Sequence, residues 1–145
     1  DAGDFGAIDL PALRRIRDLW LEIEPLVEAA GYDDPIDPTE MQITLADGIA
    51  DADSARIDVQ WSRRGNYSYH YVDSLNVNWR FDRHPNDHSP GRHFHPPPDA
   101  TRNDAVRSCI TVEEVSLVTR AVHKLWRRAY AAADLDRINS LSNPP

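Results

Sequence analysis

Cysteine, lysine and methionine are each represented once in 145 residues. A lone Cys109 excludes an intramolecular disulfide, so the fold must rest on its core, and a reducing cytoplasm is the expected compartment. Its neighbours Val106, Ile110 and Val112 predict a small buried hydrophobe rather than a reactive thiol. No segment approaches the roughly 18 consecutive apolar residues that would span a membrane, so no membrane partner is expected. No internal repeat is present. Hydrophobic residues make up 41% of the chain, enough for a modest core. The length suits one domain over residues 1–145, with 1–10 and 140–145 expected to be loose.

Glutamate is also scarce. There are 18 Asp against 6 Glu, and 15 Arg against the single Lys124, for a net charge of −8. That choice of charges fits a salt-adapted, GC-rich, halophilic source. High charge keeps a protein soluble, and strong salt screens its self-repulsion. The acids crowd into residues 1–54, where 14 of them face 3 arginines. Residues 55–107 carry 8 Arg against 6 Asp. Overall acidity argues against a nucleic-acid binder, and this local reversal marks where an anionic partner would dock.

Hydrophobic periodicity predicts an α+β fold. Asp9 as N-cap and Pro11 in the first turn open a helix. Its stripe is Leu13, Ile16, Trp20, Ile23 and Val27, with Gly31 as a natural stop and Pro25 as an internal kink or end. Four strands follow by period-two alternation: Met41 to Ala46, Arg56 to Trp61, Tyr67 to Asp73 and Asn76 to Asp82. The loop holding Asp47, Asp51 and Asp53 lacks the closing Glu of a calcium loop, and no cofactor is expected. Residues 83–104, rich in Pro and His, read as one long loop, and loops of this length are commonly functional. Thr111 with Glu114 forms a capping-box pattern for a helix running to about Ala133. The expected architecture is therefore a four-stranded antiparallel meander with an N-terminal and a C-terminal helix on one face.

Five of the six histidines lie between Tyr67 and His95. On the third strand His70 faces away from Tyr67, Tyr69 and Tyr71. On the fourth, Arg80 and Asp82 share one face, and simple register would bring them to His70. These residue types suit cleavage of a phosphodiester without metal. Histidine gives and takes protons near neutrality, and arginine binds phosphate bidentately. The catalytic candidates are His70, Arg80, Asp82, His84, His88, His93 and His95. Arg63, Arg64, Arg83 and Arg92 are candidates to hold RNA phosphate, and Tyr67 and Tyr69 to stack on bases. A solvated sheet face whose histidines only pair with Asp73, Asp82 and Asp87 would give the same pattern. A metal hydrolase is the rival chemistry. His93 and His95 would supply two ligands, His84, His88 or Asp82 a third, and water a fourth. His123 reads as a packing or surface histidine.

In these residues the chain resembles the TumE-like toxin family of type II toxin–antitoxin systems over about residues 55–130. The resemblance lies in Tyr67, Tyr69 and His70, then Trp79-Arg80-Phe81-Asp82, then His84-Pro85, His88 and the pair His93 and His95. Thr111 to Glu114, at the start of the last helix, is also similar. Arg83 departs from the pattern, where Asn is expected, and the first helix is longer and more acidic than the family implies. The resemblance implies a growth-inhibiting protein acting on RNA, a cognate antitoxin as partner, and a fold related to RelE-like ribonuclease toxins. A homodimer is a further expectation. The alternative class is a non-enzymatic module that captures a partner through an acidic first helix.

Overall fold

The computed structural model describes residues 5–84 and 91–140. Helix α1 (Leu10–Ile23) is followed by seven strands and helix α2 (Val115–Ala132). The strands are β1 (Val27–Tyr32), β2 (Met41–Leu45), β3 (Ala55–Trp61), β4 (Tyr67–Asp73), β5 (Asn78–Arg83), β6 (Arg92–His95) and β7 (Val106–Arg107). They pair in sequence order, each antiparallel to the next. The α+β meander is as expected, but the sheet has seven strands rather than four.

The extra strands have local causes. The first helix does not continue to Gly31. Pro25 has no amide to donate, and the residue before a proline avoids helical dihedrals. Glu24 accordingly sits at φ −118° and ψ 109° as the C-cap, and the chain turns into β1. Gly31 lies inside that strand. Strand β6 was concealed among prolines. Its four residues alternate, with Phe94 buried opposite Phe81 in the core. The loop expected over residues 83–104 is thus interrupted by a strand. At the start of α2, Glu114 rather than Thr111 is the N-cap, accepting from the Ser116 amide at 2.8 Å.

The first helix is also not acidic. Within Leu10–Ile23, Arg14, Arg15 and Arg17 outnumber Asp18 and Glu22, and the acids of the N-terminal third lie mainly outside it. Asp9 caps α1 as expected, accepting from the Ala12 amide at 3.1 Å. Residues 5–9 are tied to β3 and its turn. Asp9 N donates to Trp61 O at 2.8 Å, and Asn66 Nδ2 donates to Phe5 O at 2.9 Å.

One sheet face is covered by both helices. The register puts Tyr69 opposite Phe81 and Tyr71 opposite Trp79, so the tyrosines and the Trp79/Phe81 pair occupy the same face. Tyr71 stacks on Trp79 with centroids 5.0 Å apart, and Trp61 on Tyr67 at 4.9 Å. Leu13, Ile16 and Trp20 of α1 and Val122, Leu125 and Trp126 of α2 close this core. No helix among the described residues is long and apolar enough to cross a membrane.

Candidate functional site

Strand β5 lies between β4 and β6, and its register decides what meets on the sheet face away from the helices. His70 is opposite Arg80, Arg80 is opposite His95, and Asp82 is opposite His93. Opposed residues in an antiparallel pair point to the same face. His70, Arg80, Asp82, His93 and His95 therefore gather on three adjacent strands, across the sheet from the aromatic core.

Three of them are bonded together. Arg80 Nε donates to Asp82 Oδ2 at 2.7 Å, and the same oxygen lies 3.1 Å from His95 Nε2. Arg80 Nη2 is 3.2 Å from that nitrogen, and His95 Nδ1 faces the Thr101 carbonyl at 3.4 Å. A neutral His95 protonated on Nδ1 can donate to Thr101 and accept from Arg80. An imidazolium can donate to both Asp82 and Thr101. Asp82 Oδ1 is buried and has no hydrogen-bond partner among the described residues. Such an orphan costs about 1–3 kcal/mol and leaves an acceptor that a substrate or water donor would satisfy.

His93 is half-buried beside this group. Desolvation pushes its pKa below the ordinary histidine value, the nearby His95 adds to the fall, and Asp82 partly opposes it. A histidine so placed is neutral at pH 7 and able to accept a proton. On the other flank, His70 Nε2 is 3.1 Å from Asn78 Oδ1. Asn78 is fixed in turn by the Pro98 carbonyl, which accepts from its backbone N at 2.7 Å and its Nδ2 at 3.2 Å. Beyond His70, β3 adds Asp58 in register, gripped bidentately by Arg56 at 2.7 and 3.0 Å. Period two places Asn78 on the face of Arg80 and Asp82, and Asp58 and Arg56 join it from β3 although none of the three was expected as a site residue. Period two along Arg56–Trp61, with Ile57 and Val59 inward, was the signal for the last two.

Other candidates are not brought here. Tyr67 is 1% exposed and Tyr69 0%, so neither ring can stack on a base. Burial pushes the Tyr67 phenol up to about 12, and the Tyr69 hydroxyl meets Thr119 Oγ1 at 2.8 Å. Arg83 lies opposite Tyr67 and clasps the β3–β4 turn, donating to Gly65 O at 3.0 Å and Asn66 Oδ1 at 3.3 Å. Arg92, opposite Arg83, pairs with Glu113. Both stand on the core side of the strands, away from His95. Arg63 and Arg64 are exposed on the β3–β4 turn. His84 follows β5, with its ring 5.8 Å from that of Phe5. His88 lies outside the described residues. Among the described residues, no three His, Cys, Asp or Glu side chains are grouped to hold a metal ion.

His123 packs edge-on against Trp20 at 5.1 Å and lies 3.1 Å from Glu24 Oε1. Burial lowers its pKa despite that carboxylate. For His93 and His123 alike, the unfolded chain binds a proton more readily than the folded one. Their contribution to stability is full above the ordinary value of about 6.5 and is lost as pH falls through the folded value. Urea unfolding at about pH 7.5 and pH 5.5 should show wild type losing stability on acidification, and His123→Gln losing less. An equal loss in the variant would contradict this environment for His123.

Neither a curated protein nor a solved structure matches the chain. A family comparison does. Residues 13–132 match the family described as Toxin TumE, a span that holds the whole sheet with its polar face, nearly all of α1 and all of α2. With a match over so much of its length, the chain belongs to the TumE toxin family.

Proposed function

We propose that this toxin cleaves RNA on the polar sheet face, in the cytoplasm, by metal-independent acid–base catalysis. The observation that supports the reading is the placement of Arg80 on β5, directly opposite His70 on β4, with His93 on β6 diagonal to it beside Asp82 and His95. A phosphate held by Arg80 has a titratable group on either side. His93, kept neutral by its surroundings, takes the proton from a 2′-hydroxyl. The 2′-oxygen attacks phosphorus, and the bond from phosphorus to the 5′-oxygen breaks. His70, in its protonated form, gives that oxygen a proton. Arg80 offsets the charge that grows on the phosphoryl oxygens. Asp82 and His95 hold Arg80 through the 2.7 and 3.2 Å contacts. Arg63 and Arg64, exposed at the end of the sheet, extend the cationic path for the backbone.

This chemistry specifies its products. Purified protein incubated with RNA in excess EDTA is expected to leave 2′,3′-cyclic phosphate and 5′-hydroxyl ends. Cleavage that needs added divalent metal and leaves 5′-phosphates would overturn the proposal in favour of a metal hydrolase using the β6 histidines. Intact RNA under both conditions would sink the catalytic reading and leave a toxin that acts by binding.

A further inference from the structure

Helix α2 carries cations and no acid, in a chain whose net charge is −8. Arg120, Lys124, Arg127 and Arg128 recur at i, i+4, i+7 and i+8, which lines them along one side of a helix. The interleaved Val118, Val122, Leu125 and Ala129 are buried in the core, so the cationic stripe points outward. Arg120 and Lys124 are exposed. At the C-terminal half of the stripe lies a shallow, open surface cavity of about 320 Å³, lined by His123, Lys124, Arg127, Arg128 and Ala131 of this one helix. Long cationic side chains present hydrocarbon stems below charged ends. The cavity thus has apolar walls and a positive rim.

The rim is held in place. The Arg127 guanidinium lies 5.7 Å from the Trp126 ring centroid and 5.1 Å from that of Tyr130. Its Nε is 3.6 Å from Glu24 Oε1. Glu24 is already committed: Oε1 also meets His123, and Oε2 accepts the Leu26 amide at 2.8 Å. A bare phosphate backbone would satisfy the charge and leave the apolar walls uncovered. An acidic helix with an apolar anchor satisfies both, because its apolar face and its carboxylates alternate with the helical period.

We propose that this face of α2 docks an acidic amphipathic segment of a partner protein, with one apolar side chain in the cavity and carboxylates against Lys124, Arg127 and Arg128. The site lies across the sheet from His70, His93 and His95, so it stands or falls independently of RNA cleavage.

The test uses the full chain, isotope-labelled, and a synthetic helical peptide of Glu and Leu in amphipathic order, about 16 residues or roughly 24 Å long when helical. Saturable binding that shifts the backbone signals of residues 123–131 is expected. A scrambled peptide of the same composition should bind at least roughly tenfold more weakly, and Lys124→Glu should weaken the ordered peptide by a similar factor. Ala131→Trp, which fills the cavity without changing charge, should weaken it too, with the circular dichroism of both variants unchanged. No saturable binding, equal binding of the scrambled peptide, shifts confined to the sheet face, or preferential occupation of α2 by a single-stranded RNA oligonucleotide would each overturn the proposal. Failure of the cleavage reading would show instead as intact RNA with these peptide results unchanged.

Discussion

His93→Ala is expected to lower the rate of RNA cleavage by roughly 10²–10⁴-fold, the usual contribution of a positioned general base. His93 is half-buried and sits near the end of a short strand, so the variant should keep its fold. A shift in pH dependence separates a base from a merely structural side chain. Desolvation and His95 hold the His93 pKa below the ordinary histidine value. Cleavage by the wild type should therefore persist into mildly acidic solution and fall only where His93 takes up a proton. In His93→Ala that acid limb should vanish along with most of the rate. A variant that keeps the wild-type limb while losing rate would assign the base to another group on the face. Arg80→Ala should lose rate as well. It also strips Asp82 and His95 of a shared partner, so its stability must be measured beside its activity.

The second large effect concerns the core that supports this face. Trp79 is fully buried, stacked on Tyr71 and edge-on to Phe81. Trp79→Ala is expected to cost about 3–5 kcal/mol, from lost transfer free energy and the cavity left behind. That is a large fraction of the roughly 5–15 kcal/mol by which domains are stable. Trp79→Phe should behave differently. The indole nitrogen is buried without a hydrogen-bond partner among the described residues, so removing it relieves an unsatisfied donor while giving up some packing. The two changes oppose each other, and a net change within about 1 kcal/mol is expected. Urea denaturation of both variants checks the pair. A Phe variant as unstable as the Ala variant would mean that the indole nitrogen is satisfied in solution.

Four of the seven strands were legible because each alternates apolar and polar residues for five residues or more. Ile57 and Val59 on β3, and Tyr69 and Tyr71 on β4, mark the period without help from the rest of the chain. Strand β1 was not legible. Val27 continues the helical stripe of Leu13, Ile16, Trp20 and Ile23, and only Pro25 argues otherwise. Strand β6 depends on pairing with β5, a long-range event, and its Arg-His-Phe-His is too short to stand out beside three prolines. The same limit applies to the site. Period two put His70, Arg80 and Asp82 on one face. It could not say that the tyrosine side would be the covered one, which removes Tyr67 and Tyr69 from any RNA contact. The bonds from His95 to Asp82 and Arg80 follow from β5–β6 register, and the Asn78 contact to His70 follows from the return of the chain at Pro98. Neither has a local signature. The helical cations were visible as letters, but that α2 itself carries no acid became evident only once its boundaries were set.

The most direct measurement is induced expression of the wild type beside His93→Ala and Arg80→Ala in a salt-tolerant host, with growth followed and total RNA sequenced for new 5′ ends. Growth arrest with new 5′-hydroxyl ends is expected in the wild type, and neither in variants that remain folded. Arrest with unchanged RNA, or arrest that persists in both folded variants, would contradict the proposed catalysis.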